Sequence, residues 1–93
     1  MIIGSVTLKL YAPWVHSLKE KCMLVKSIMT KTKSKFNVSI AEVSEQDRHQ
    51  TIILGIACVA NTVSRSCGII DNVIAFIESN TETEILDIQR ETR

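Results

Sequence analysis

Aromatic residues are scarce in this chain: one Trp, one Tyr and two Phe in 93 positions. That scarcity argues against a sheet face built to stack nucleic-acid bases, which needs several rings on one surface. The three cysteines, Cys22, Cys58 and Cys67, are odd in number and form no C-x-x-C pair. They argue against a disulfide framework and, with His16 and His49, show no metal-ligand spacing, so buried thiols in a reducing, cytoplasmic compartment are expected. No run approaches the roughly 18 apolar residues of a membrane helix, so no membrane partner is expected. Met1–Val6 lacks the charged start and long apolar core of a signal peptide. A phosphate-binding loop, a dinucleotide fingerprint and a nucleophile elbow are all missing, and no cofactor is implied.

What is present is an ordinary globular composition. The chain is 45% hydrophobic and 23% charged, with a net charge of +1, which disfavours disorder. Its length fits a single domain over residues 1–93, burying roughly two-thirds of its unfolded surface.

The pattern of side chains reads as six elements. Residues 2–11 alternate, with Val6, Leu8 and Leu10 on one side and Ser5, Thr7, Lys9 and Tyr11 on the other, a half-buried strand. The only proline, Pro13, punctuates the turn that follows. Ser17 and Glu20 form a capping box for a helix over 18–35, whose apolar face is expected to be Leu18, Cys22, Val25 and Met29, flanked by Leu24 and Ile28. A second strand is predicted over 36–43, a polar hairpin connection over 44–50, and a strand apolar on both faces, hence central, over 51–61. The spacing of Cys67, Ile70, Ile74 and Ile77, with Val73 and Phe76, predicts a second helix over 64–79. Gly68 weakens that helix by about 1 kcal/mol relative to Ala, and Asn80 is placed as a left-handed C-cap. Residues 83–90 complete the set as a strand.

The order β-α-β-β-α-β is that of an α+β, ferredoxin-like plait. Right-handed crossovers then put both helices on one face of a four-stranded antiparallel sheet and leave the other face bare.

The run His16-Ser17-Leu18-Lys19-Glu20-Lys21, then Val25-Lys26-Ser27, then Phe36-Asn37-Val38-Ser39 with Ala41-Glu42-Val43, Asp47, Gln50 and Leu54-Gly55, resembles the YlxP-like family of small bacterial proteins of unknown function. The resemblance spans nearly the whole chain. It implies a ferredoxin-like fold and a cytoplasmic protein. Family genes often stand beside translation and transcription factors, which implies RNA or a ribosomal particle as a partner. The chain departs from the family in carrying Cys22 where arginine is usual, so an anion contact at that position is not carried over.

Three surfaces are candidates. The first is basic: residues 16–35 hold six lysines against one glutamate, whereas the remainder holds five basic and nine acidic residues. Lys19, Lys26 and Lys33 are seven apart and form a stripe beside the apolar face of the first helix. That stripe suits a phosphate backbone, or is simply solvated, its lysine stems lying over the core. The second is the strand-to-helix loop, where His16, Ser17, Lys19 and Lys21 surround a helix N-terminus that attracts anions. The plainer reading is that Ser17 and Glu20 cap the helix and the lysines project into water. The third is the bare sheet face, where Thr7, Ser39, Ala41, Ile53, Gly55, Ala57 and Val59 are small or apolar. Such a patch marks an interface, here expected between two copies.

Catalysis draws little support. His16 has no acid partner at a recognisable spacing. Acylphosphatases share the topology and Asn37 falls on the second strand, yet Pro13-Trp14-Val15-His16 stands where their glycine-rich loop would be. Trp14 either anchors a partner or closes one end of the core. The expectation is a non-enzymatic binding module: a homodimer with a basic helix face for RNA or ribosome-associated contacts. The alternative is a small-anion or ligand-sensing domain using the loop at 16–21.

Overall fold

The computed structural model of the chain describes residues 1–44, 48 and 50–93. Six elements follow in the expected order: β1 (Ile2–Tyr11), α1 (Leu18–Lys35), β2 (Ser39–Ser44), β3 (Thr51–Ala60), α2 (Val63–Asn80) and β4 (Glu84–Thr92). The sheet order is β2-β3-β1-β4, and every neighbouring pair is antiparallel. This is the ferredoxin-like α+β plait, with both helices packed on one face. The polar connection expected over 44–50 lies largely outside the described residues, with only Ser44, Arg48 and Gln50 placed.

The alternation along the strands sets the two faces. β1 and β3 pair without a slip from Ile2↔Ala60 to Tyr11↔Thr51. Val6, Leu8 and Leu10 therefore bury on the helix side beside Ile52, Leu54 and Ile56. β3, apolar on both faces, is interior as expected, and β2 and β4 form the edges. Register shifts interrupt β2 between Glu42 and Ser44 and the β1–β4 ladder between Lys9 and Leu10. Such irregularities blunt sheet edges against further pairing.

The first helix begins on its expected cap and the second on Thr62. Ser17 Oγ accepts the Glu20 N–H at 3.1 Å, and Thr62 Oγ1 accepts the Arg65 N–H at 3.1 Å. Glu20 reaches one residue further back than a capping box predicts, taking the His16 N–H at 3.2 Å. The end of α2 departs from expectation. Asn80 is its last helical residue, and Thr81 follows in extended backbone with φ −133°. No left-handed residue is needed, because side chains satisfy the free carbonyls. Asn80 Nδ2 donates to Phe76 O at 2.9 Å, and Thr81 Oγ1 donates to Ile77 O at 2.8 Å.

The buried faces of the helices also differ from the predicted ones. α1 turns Lys21, Val25, Ile28 and Thr32 inward, while Leu18 and Cys22 are exposed and Met29 is half-buried. At 100° per residue this face is rotated by roughly 60° from the one hydrophobicity alone selects. α2 likewise buries Ser66, Ile70, Val73 and Ile77, with Cys67 and Ile74 only partly covered. Each buried polar group has a partner, which is what makes its burial tolerable. Thr32 Oγ1 donates to Ile28 O at 2.7 Å, and Ser66 Oγ lies 3.7 Å from Cys58 Sγ. Ser66 also explains Gly4: a Cβ there would stand 1.9 Å from Ser66 Oγ, so only glycine lets α2 approach β1 this closely.

Candidate functional site

Lys21 occupies the first turn of α1, and its side chain is 2% exposed. Its ammonium lies 2.7 Å from Glu42 Oε2 on β2 and donates to the Arg48 carbonyl. The pair ties the start of α1 to the edge strand and to the β2–β3 connection. Next to it, Ala12 N–H donates to Gln50 O at 2.8 Å and Gln50 Nε2 donates to Pro13 O at 3.0 Å. These contacts fasten the β1–α1 loop to the same connection.

This geometry corrects one expected site residue. Lys21 faces inward and is neutralised by Glu42, so it does not join His16, Ser17 and Lys19 in an anion-facing group. The loop keeps exposed His16 and Lys19, but Ser17 and Glu20 already satisfy two free N–H groups at this end of the helix. Sequence reasoning missed the pair, although its signal was present. Lys21 lies on the helical arc of Val25, Ile28 and Thr32, and Glu42 has the core-facing parity of Ile40. A base and an acid facing each other across one packing layer are a pair. Lys21 belongs to the H-S-L-K-E-K run and Glu42 to the F-N-V-S-I-A-E-V segment, so both segments contribute to building the fold.

Trp14 does not close the core. It remains 40% exposed, and the neighbouring Ala12 and Val15 are buried instead.

The remaining lysines of α1 behave differently. Lys19, Lys26 and Lys33 are all exposed, and they lie roughly 110–150° around the helix from its buried arc. The stripe therefore runs on the far side of α1 from the sheet, not beside the apolar face. It extends about 21 Å along the axis. Met23, 65% exposed, and Thr30 stand between the lysines. Lys35 is engaged otherwise: its ammonium sits 5.0 Å from the Phe76 ring centre and 6.0 Å from that of Phe36, a cation–π arrangement over an edge-to-face pair.

On the opposite side of the molecule, the strand register gathers all seven residues expected on the bare face. Thr7 pairs with Gly55, Ala41 with Gly55, Ser39 with Ala57, and Ile53 and Val59 continue the same face of β3. The side chains of Ser5, Thr7, Ser39, Ala41, Val43 and Ala57 line a shallow hollow of about 290 Å³ there. Val43 rises at its rim, 56% exposed, and leans over Gly55, where an added Cβ would meet Val43 Cγ1 at 2.9 Å. The fourth strand differs in character. Asp87, Gln89 and Glu91 of β4 pair with Lys9, Thr7 and Ser5 and so share this face. The surface is thus small and largely apolar over β2 and β3, small and polar with exposed Lys9 on β1, and charged along β4. Among the described residues no group of three His, Cys, Asp or Glu side chains is arranged to hold a metal ion, and no helix is long and apolar enough to cross a membrane.

Fold and surfaces together define a ferredoxin-like α+β domain with both helices on one side of the sheet and an open sheet face on the other. The likeness extends to solved structures. A de novo designed protein with ferredoxin fold, LFR1 1, superposes with a TM-score of 0.61 at 20% identity, over 100% of this chain and 86% of the design. The designed protein Foldit4 gives 0.51 at 10% identity, over 99% and 94%. At such identities the likeness concerns the fold alone. The chain belongs to the family described as "Protein of unknown function (DUF503)", whose model matches residues 3–90. It is 43% identical to the uncharacterized protein YlxP of Bacillus subtilis (strain 168) over 68 residues, 73% of this chain and 74% of the relative.

Proposed function

We propose that this domain is a non-enzymatic binding module that contacts RNA, free or within a ribosomal particle, through the outer face of α1, and that it acts as a homodimer joined by its open sheet faces. The observation that carries the reading is the placement of Lys19, Lys26 and Lys33. They are exposed along one line of the helix, while the lysine that could have served the fold instead, Lys21, is withdrawn and paired. A row of cations on a rigid helix displaces counterions from a phosphate backbone. The open sheet face is the weaker candidate for RNA. Among its described side chains only Tyr11 carries a ring, and β4 adds acids.

The test is RNA binding by the full chain at several salt concentrations. Changing Lys19, Lys26 and Lys33 together to Glu is expected to abolish measurable binding at moderate salt while leaving the fold intact. Undiminished binding by that triple variant would show that the contact lies elsewhere.

A further inference from the structure

We propose that the dimer holds its two lysine faces back to back, so that it bridges two separate RNA segments and does not offer one continuous basic platform. This rests on the reading above. The topology carries it. Both helices pack on one side of the sheet, and the lysines point away from that sheet. Two copies joined through their open faces must then carry their α1 helices on opposite outer surfaces. Stacked sheets lie about 10 Å apart, and a helix layer about 10 Å thick sits on each, so the two α1 axes are on the order of 30 Å apart. The lysine tips point in opposite directions. A single short strand of RNA cannot lie on both.

A second copy is the occupant the open face fits. The face over β1, β3 and the shorter β2 is about 14 Å wide and about 20–33 Å long, so two such faces cover roughly 800 Å² in outline. That is below the size of a stable specific interface, and it describes a weak dimer that dissociates on dilution. The charges on β4 select how the copies overlap. A two-fold axis across the strands would stack the two charged β4 strands, laying Asp87 of one copy over the Glu91–Arg93 pair of the other and burying charge on charge. An axis along the strands, centred on β3, leaves both β4 strands outside the overlap, lays β3 on β3 and β1 on β2, and meets Lys9 only at the Ser44 end of β2. A nucleic acid on this face would meet the same acids, and among the described residues no ring but Tyr11.

The experiment captures one short single-stranded RNA on beads and asks whether the full-length protein retains a second, fluorescent RNA of the same length. Analytical ultracentrifugation reports mass in parallel. The native chain is expected to be a dimer at high concentration and to retain the second RNA. Ala57→Asp, at the centre of the face, is expected to give a monomer that binds a single RNA within about twofold of the native affinity. Its retention of the second RNA should fall at least about tenfold. Ala41→Asp, at an exposed position, repeats the test if Ala57→Asp folds poorly. A native chain that is monomeric throughout, or a dimer that binds RNA but retains no second strand, overturns the proposal. Loss of dimerisation in neither Asp variant overturns it as well, by moving the interface elsewhere. A dimer that binds no RNA at all overturns the RNA reading and the bridging with it, while the mass measurement still identifies the interface.

Discussion

Lys21 is a charged residue that belongs to a core. Its ammonium gains Glu42 and the Arg48 carbonyl in exchange for water. Removing one partner of such a pair leaves the other desolvated and uncompensated, whereas removing both restores an apolar contact. Glu42 retains 18% exposure, which moderates the penalty. Lys21→Met is therefore expected to destabilise the fold by about 2 kcal/mol. Lys21→Met combined with Glu42→Leu is expected to return to within about 1 kcal/mol of the parent. Urea denaturation of the four proteins measures the coupling, and strictly additive losses would mean that the two side chains do not act as a pair. RNA affinity separates Lys21 from its neighbours: Lys21→Met should leave it unchanged, because this ammonium never faces solvent.

At the scale of elements, two glycines make opposite predictions. Gly68 lies inside α2 with open space where a Cβ would go. Gly68→Ala is expected to stabilise the protein by about 0.5–1 kcal/mol through helix propensity, seen as a raised Tm. Gly4 faces Ser66 across the β1–α2 contact, and Gly4→Ala is expected to cost about 1–3 kcal/mol by overpacking. A Gly4→Ala variant as stable as the parent would mean that Ser66 turns its hydroxyl aside or that α2 shifts on the sheet. The order and approximate bounds of the elements were legible in the sequence because strand alternation, helical spacing and the Ser17 cap are local signals. The helix faces were not fully legible. Hydrophobicity ranks Leu18 and Cys22 above Lys21, and Cys67 above Ser66, yet the second residue of each comparison is the buried one. What decides those positions is a partner on another strand, Glu42 for Lys21 and the space over Gly4 for Ser66, and such partners are defined only once the sheet has formed. The open-face residues were legible because register follows from parity, and the acidic row on β4 became visible only when β4 was placed beside β1.

For the molecule as a whole, the net charge of +1 conceals a division. Lysines dominate the outer side of α1, above the β2–β3 half of the sheet, whereas Asp87 and Glu91 lie on β4 at the opposite edge. If the partner is a polyanion, this division should turn it toward α1 on approach, an effect expected to shrink as salt shortens the screening length. If Lys19, Lys26 and Lys33 each neutralise one phosphate of a single strand, they supply about two units of the slope of log affinity against log salt, at roughly 0.7 per contact. Changing the three to Gln removes the contacts without adding repulsion. The slope is then expected to fall by about 2, with affinities of native and variant chains converging at high salt, as read by fluorescence anisotropy across a salt series. An unchanged slope with weakened binding would instead assign the three lysines to packing against the RNA, and Met23, exposed between them, would then be the next residue to change.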